Sequence, residues 1–288
     1  MKSKSVYKIL GTVIIISAGL QVYFGINESE LIAKVLTPVL VACIVLFSTT
    51  HGIMRYGKKN MLIFFLITFV VSWIYENLSI FTGFPFGNYH YTEFLGVKLL
   101  HVPLAIMPAY FGTAYLAWTL AGILIDEYKN KLSGGSVFFV PVIASFIMVM
   151  WDVVFDPSAA TIQQSWIWED GGGFFGVPFS NYMGWFLCVF TIYQLFAVYL
   201  MKKKEFASHP IVSEKPYWIL SAVMYSLAVF FVPFKALFAS DLSVISQDNH
   251  QWWTGDIYTT SSLLLIFTMF FVSILAIIKS IRKENYEK

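Results

Sequence analysis

Residues Trp73–Tyr89 read WIYENLSIFTGFPFGNY, and a closely similar stretch recurs later in the chain. Residues Trp166–Tyr182 read WIWEDGGGFFGVPFSNY, and a gapless comparison finds Trp, Ile, Glu, Phe, Gly, Pro, Phe, Asn and Tyr in common. Each copy holds a carboxylate, Glu76 or Glu169, followed by a G-x-P-F-x-N-Y turn. Internal repeats usually mark equivalent structural units. We therefore predict that the two segments form equivalent loops that hold a site between them.

The composition around this repeat is that of a membrane protein. The chain has 288 residues, of which 58% are hydrophobic and 12% charged, whereas soluble domains carry about 25% charged residues. Its two cysteines, Cys43 and Cys188, lie in apolar runs, which gives no indication of a disulfide framework. We predict an all-α polytopic integral membrane protein that forms a single transmembrane domain over residues 1–288.

Apolar runs of about 20 residues, the length that crosses a bilayer, predict about eight transmembrane helices. We expect the fourth to begin with a kinked turn at Pro103 and Pro108, and the seventh to be interrupted at Pro233. The predicted helices are Val6–Phe24, Leu31–Thr50, Met61–Phe81, Leu99–Ile125, Val137–Phe155, Gly184–Met201, Tyr217–Phe238 and Tyr258–Ile281.

The distribution of positive charge favours one topology. Sixteen of the 19 lysines and arginines fall in the tails and the even-numbered connections, and only Lys34, Lys98 and Lys235 fall on the other side. Cytoplasmic segments carry such an excess, so we predict a cell-membrane protein with cytoplasmic N and C termini. Both copies of the repeat then lie on the extracytoplasmic side. The connection 156–183 is long and rich in glycine and aromatic residues, as functional covers often are.

Three acids lie in or beside the predicted helices near this outer side. Glu76 and Asp152 are inside helices, and Asp156 follows Asp152 by four residues, on the same helix face. A carboxyl group in a membrane is costly unless it is paired or faces a polar cavity, so it is a functional candidate. Burial and mutual repulsion favour keeping at least one of the three neutral. We predict that they are catalytic; the alternative is that they brace the helices through hydrogen bonds.

Polar and aromatic residues beside the two turns are candidates for supporting roles. Amide, phenol and imidazole groups could orient water or a proton donor, and tryptophans could line a cavity that faces a cationic intermediate. The alternative is an interfacial aromatic belt with turn-forming asparagines. The candidates for substrate binding or support are Asn88, Tyr89, His90, Tyr91, Trp73, Trp151, Trp166, Trp168, Asn181 and Tyr182.

Neither a metal nor a cofactor is predicted. The outer-side histidines His90, His101 and His250 lack the spacing of a preformed metal site, and His51 on the inner side is interpreted as a surface residue. Gly171–Gly176 fits G-x-G-x-x-G, but no strand precedes it, so nucleotide binding is not expected. We also expect no nucleic-acid partner.

The motifs in the central part of the chain resemble a known family. They are Glu76–Leu104 (ENLSIFTGFPFGNYHYTEFLGVKLLHVPL), the WD-x-x-x-DP motif at Trp151–Pro157, and W-x-W with GVP-x-x-NY-x-GW at Trp166–Trp185. In combination they resemble the CruF-type membrane carotenoid 1,2-hydratases. The resemblance is clear from Trp73 to Trp185 and rests on hydropathy alone in the flanking helices. His101 stands where a small residue is expected, a departure that bears on the substrate tunnel.

The resemblance implies addition of water to the terminal C1–C2 double bond of an acyclic carotenoid end group, which gives a tertiary alcohol. The candidate residues suit this chemistry, since a neutral carboxylic acid can protonate the alkene and aromatic faces can shelter the cation. The expected enzyme is a hydro-lyase that acts on a lycopene-like or C50 precursor within membrane lipid, compatible with association with other carotenoid enzymes. The alternative is a non-catalytic carotenoid- or lipid-binding membrane protein, or a subunit of a carotenoid enzyme complex.

Overall fold

The computed structural model describes residues 3–128, 131–203 and 208–282, and it is mostly helical. In these ranges, five helices are long and apolar enough to cross a membrane, in agreement with an all-α membrane protein. Lys2, Lys129, Lys204, Lys283 and Lys288 of the charge count lie outside the described residues. The α-helices are α1 (Ser3–Ile26), α2 (Glu30–Thr82), α3 (Ile106–Leu124), α4 (Ser136–Pro157), α5 (Phe179–Met201), α6 (Lys215–Ser226), α7 (Val232–Phe238), α8 (Thr254–Leu264) and α9 (Phe271–Arg282).

Helix α2 combines the second and third predicted helices. The break between its two halves is at Gly57, whose φ of 76° and ψ of 162° are not helical. The predicted connection is otherwise helical, and it buries both His51 and Arg55. Interpreting His51 as a surface residue was therefore wrong. Its ring nitrogens lie 2.7 Å from the Tyr115 hydroxyl and 2.9 Å from the Tyr217 carbonyl oxygen, so the buried imidazole is fully hydrogen-bonded.

The fourth predicted helix begins later than expected. The residues in front of α3 form a hairpin of β2 (Lys98–Leu99) and β3 (Val102–Pro103), which pair antiparallel. Leu100 at its turn has a left-handed φ of 60°, a conformation that ends regular structure. Pro103 is thus a strand residue, whereas Pro108 lies in the first turn of α3, where a proline is tolerated. Helix α3 is buried continuously over 110–123 and is packed against α2, α4 and α6.

The remaining predicted helices are present with different ends. The seventh is divided into α6 and α7 by a turn at 227–231, just before Pro233. The eighth contains a π-helical segment, Leu265–Phe270, between α8 and α9. Helix α5 begins at Phe179, five residues before the predicted Gly184, because Pro178 has the extended conformation of an N-cap.

The two copies of the sequence repeat are not structurally equivalent, which corrects the first prediction. In the first copy, residues 73–82 are the last turns of α2, whereas in the second Trp166–Trp168 form strand β4. The physical reason lies in the middle of each copy. Residues 78–80 are Leu-Ser-Ile and stay helical, but the matching Gly171, Gly172 and Gly173 would each cost a helix about 1 kcal/mol.

The two copies instead pack against each other. Strand β4 pairs antiparallel with β1 (Tyr89–Tyr91), so that Tyr89 lies opposite Trp168. The Ser180 hydroxyl donates to the Phe86 carbonyl oxygen at 2.8 Å. Gly87, with φ of 126°, leaves room for this close approach, because a Cβ there would lie 3.2 Å from the Ser180 hydroxyl.

A second hairpin covers the second copy of the repeat. It consists of β5 (Ser243–Ile245) and β6 (Gln251–Trp253), and the Trp252 ring lies 5.4 Å from that of Phe175. Asp248 at its tip sits against Gly171, where a Cβ would come within 2.3 Å of the Asp248 carboxyl carbon. The glycine loop and this hairpin therefore fit together.

Candidate functional site

A cavity of about 300 Å³ lies between α2, α3, α4 and α5, beneath the β1–β4 pair. Its wall contains all three predicted acids, Glu76, Asp152 and Asp156, each at most 3% exposed. Helix α2 supplies the first acid from its penultimate turns, and α4 supplies the other two from one face at its end. The structure therefore brings together three carboxyl groups that lie far apart in the sequence.

The Glu76 carboxyl group is surrounded by tyrosine hydroxyls. Its Oε2 accepts hydrogen bonds from Tyr89 and, at 2.8 Å, from Tyr91, and its Oε1 accepts one from Tyr110 at 2.8 Å. Burial raises the pKa of Tyr89 and Tyr91 well above their usual range, and the nearby Glu76 charge adds to this. Both hydroxyls therefore keep their protons and remain donors to the carboxyl group.

The two aspartates share a different set of donors. The Asn181 side-chain nitrogen lies 3.1 Å from Asp152 Oδ2 and 2.7 Å from Asp156 Oδ2, so one amide group bridges both carboxyls. Asp156 Oδ1 also accepts from the Trp166 indole at 2.9 Å. Asn181 is in place because α5 begins at Phe179, which puts the amide in its first turn.

Aromatic rings form most of the remaining wall. Trp185 is stacked on Tyr110 with ring centres 4.3 Å apart and planes 3° apart. Trp151 is stacked on Phe155 at 5.0 Å, and Trp168 lies 4.9 Å from Tyr89. The indole nitrogens of Trp151 and Trp168 are buried and have no hydrogen-bond partner among the described residues. The wall thus offers π faces to an apolar molecule.

Of the predicted supporting residues, Asn88 and His90 do not line the cavity. Both are exposed on the outer surface, where the Asn88 amide donates to Asp170 Oδ2 at 2.6 Å and His90 pairs with Glu169. These contacts join the first copy of the repeat to the second. Glu169 therefore makes a surface contact and takes no part in the cavity wall.

Trp73 and Tyr182 also lie outside the cavity wall. The Trp73 indole donates to the Leu99 carbonyl oxygen at 3.2 Å and holds the β2–β3 hairpin against α2. Tyr182 is buried next to Phe174, with ring centres 5.8 Å apart. The predicted residues that do line the cavity are Glu76, Tyr89, Tyr91, Trp151, Asp152, Asp156, Trp166, Trp168 and Asn181.

Among the wall residues that the sequence did not single out are Tyr110 and Trp185. Tyr110 lies in α3, which is apolar and aromatic throughout, so nothing in its neighbourhood marks a polar contact. Trp185 is the last residue of the GVP-x-x-NY-x-GW motif, and its place in that motif was the one indication of a role in the site. Its stacking on Tyr110 links α5 to the hydroxyl that binds Glu76.

Taken together, the fold and the site define a class: an integral-membrane helical protein whose buried acids face an aromatic cavity. The sequence profile of the family described as "Carotenoid biosynthesis protein" matches residues 30–246, and the chain belongs to that family. The resemblance inferred from the motifs is thereby confirmed.

One curated relative gives a more specific likeness. The chain is 34% identical over 113 residues to a protein of Haloarcula japonica named bisanhydrobacterioruberin hydratase. That similarity spans 39% of this chain and 36% of the relative. No solved structure matches the chain.

Proposed function

We propose that this protein adds water to the terminal C1–C2 double bond of an acyclic carotenoid end group and so forms a tertiary alcohol. The observation that carries the proposal is the cavity itself, where three buried carboxyls and stacked aromatic rings meet in a member of a carotenoid biosynthesis family. Such a cavity suits an apolar alkene. The name of the Haloarcula relative supports the same reaction type.

The reaction requires two proton movements and no net change in protons. A carboxylic acid protonates C2, which leaves a tertiary cation at C1. Water attacks C1, and the oxonium loses its proton to a carboxylate. General acid–base catalysis of this kind contributes about 10²–10⁴-fold in rate. The aromatic faces of Trp151, Trp185 and Tyr110 can stabilise the cation through cation–π attraction.

The hydrogen bonds suggest how the roles divide. Asp156 has two donors, Asn181 and Trp166, which stabilise it as the charged partner, whereas Asp152 has Asn181 alone among the described residues. Two adjacent carboxyls cannot both ionise easily. We assign Asp152 as the acid that protonates C2. Glu76, with three hydroxyl donors, is the carboxylate that receives the proton from water. Transfer of that proton from Glu76 back to Asp152 restores the starting state for the next turnover.

We further propose a single domain that crosses the cell membrane eight times, with both termini in the cytoplasm. Counting α2 as two spans at Gly57, and α3 and the α6–α7 pair as one each, gives eight with the other helices. The positive charge on one side supports this orientation. Reporter fusions after α1 and at the Gly57 break test it, because the two sites must lie on opposite sides of the membrane.

The reaction is tested by expression in a bacterial host that makes lycopene, followed by mass analysis of the pigments. Products heavier by one or two waters are expected. Growth in ¹⁸O-labelled water should label the new hydroxyl. Hydration of preformed, unlabelled carotenoid by isolated membranes in D₂O should place one deuterium at C2. Unchanged pigment beside correctly inserted protein, with dehydrogenated and C50 precursors also tried, contradicts hydration. Pigment that co-purifies unchanged would identify a carotenoid-binding protein instead.

A further inference from the structure

The cavity has a closed end and an open end. Glu76 and Asp152 lie at the closed end, where exposure is at most 3%. Three other residues of the wall, Lys34, Pro38 and Gly96, are exposed. The cavity therefore opens between the first half of α2 and the connection that joins β1 to β2.

This opening lies on an apolar surface of a membrane-crossing helix. Pro38 is on α2, and its neighbours Val35 and Val39 are 55% and 40% exposed. In the candidate spanning part of α2, exposed apolar side chains of this kind face acyl chains. The opening consequently faces lipid.

Charged and aromatic groups bound the outer edge of the opening. Lys34 Nζ lies 2.6 Å from Glu30 Oε1, one turn earlier on α2, and 5.8 Å from the centre of the Phe94 ring. Because an ammonium group at this edge keeps its hydration, an apolar chain leaves the cavity on the other side of it, past Pro38 and Val41.

The size of the cavity determines how much of a long molecule it can hold. Its volume of about 300 Å³ lies at the low end of the range of roughly 300–1,000 Å³ for small-molecule pockets. It can enclose one end of a long polyene, and the remainder of the chain must extend beyond the opening.

Building on the proposed function, we propose that this opening is a lateral portal for the polyene, bounded by Pro38 and Val41 on α2 and by Leu95 and Gly96. The acyclic end enters sideways from the bilayer, and the rest of the chain remains in lipid. The enzyme thus selects a narrow, acyclic end group, and the length of the polyene outside the portal does not affect selection. C40 and C50 substrates with the same end group are expected to react at similar rates.

The test compares two tryptophan substitutions two residues apart on α2, which point to different sides of the helix. Val41→Trp narrows the portal, whereas Val39→Trp adds the same ring on the lipid-facing surface, outside the cavity wall. Each protein is purified in lipid vesicles and given a C40 acyclic carotenoid, and both hydration kinetics and bound pigment are measured. Val41→Trp should raise KM by about tenfold or more with a much smaller change in kcat, since the reacting groups are untouched. Val39→Trp should match the wild type.

Leu95→Trp narrows the portal from the opposite side and is used if Val41→Trp does not reach the membrane. Wild-type KM and pigment binding in these narrowed variants overturn the portal and leave hydration standing. Wild-type protein that binds pigment without hydrating it, and that loses the pigment on narrowing, supports the portal and contradicts the proposed reaction. Tenfold different rates for C40 and C50 substrates also contradict the portal.

Discussion

The acids of α2 and α4 face one cavity but are bound in different ways. Glu76 has three hydroxyl donors to itself, while Asp152 and Asp156 share a single amide and add one indole. Several donors stabilise a carboxylate, and crowding of two carboxyls favours retention of one proton. Acids that are equally buried therefore need not have the same role. In the proposed mechanism, the α4 pair carries the proton that is donated and Glu76 is the charged group.

The largest effect is expected when the proton donor is removed. Asp152→Asn keeps the size of the side chain but offers no acidic proton, so hydration should fall about 10²–10⁴-fold. Pigment analysis and initial rates in vesicles measure the loss. Asp170→Asn is the matched control, because Asp170 is an exposed acid that bonds only Asn88 among the contacts described. Full activity in Asp152→Asn removes this residue from the mechanism.

Substitution of Glu76 tests the role of the acid on α2. In Glu76→Gln the amide oxygen still accepts from the tyrosines, but one hydroxyl faces an NH₂ group and the charge is lost. A charge-assisted hydrogen bond is worth about 1.5–3 kcal/mol, so we expect a loss of roughly 10- to 100-fold in kcat. Glu169→Gln, at the surface beside His90, should retain activity. A larger loss in Glu76→Gln than in Asp152→Asn would reverse the assignment of roles.

Removal of one of the three hydroxyl groups that donate to Glu76 should have a smaller effect on the rate. Tyr110→Phe deletes the bond to Oε1 and keeps the stacking on Trp185, so a loss of about tenfold in rate is expected. Tyr193→Phe is the matched control, since its buried hydroxyl donates to the Ala114 carbonyl oxygen at 3.1 Å outside the cavity. Both variants should lose similar thermal stability. An unchanged rate in Tyr110→Phe would show that Glu76 does not depend on its third donor.

The acids of this cavity were predictable, whereas their donors were only partly so. Carboxyl groups are rare and costly in apolar helices, so Glu76 and Asp152 are visible in the sequence alone. Tyr110 could not be identified in this way. It lies in a buried helix with several aromatic residues, and the sequence around it does not indicate its hydrogen bond to Glu76 on another helix. Tertiary packing decides that contact.

The repeat shows how local chemistry overrides a sequence match. Nine identical residues predicted two equivalent loops, yet the two copies differ at three matched positions. Leu78–Ile80 continue a helix, whereas a helix through Gly171–Gly173 would cost about 1 kcal/mol more at each glycine. Similarly, the apolar run before α3 has the composition of a helix, but its left-handed Leu100 and Pro103 make a hairpin. The position of most helices followed from hydropathy, because that signal is summed over many residues.

Asp248 lies in the β5–β6 hairpin, away from the cavity wall. Its substitution is expected to have the smallest effect on activity. A hydrogen bond from Ser246 lowers its pKa below the usual range, and His250 adds to this. The lowered pKa means that the ionised form stabilises the folded hairpin above the unfolded pKa of about 3.9, and this contribution disappears as pH falls through the folded pKa. Asp248→Asn should therefore unfold more readily than wild type at pH 7, and this difference should shrink as the pH is lowered below about 3.9, with hydration unchanged. A loss of activity comparable to that of Asp152→Asn would show that the hairpin, and not only the buried acids, takes part in the chemistry.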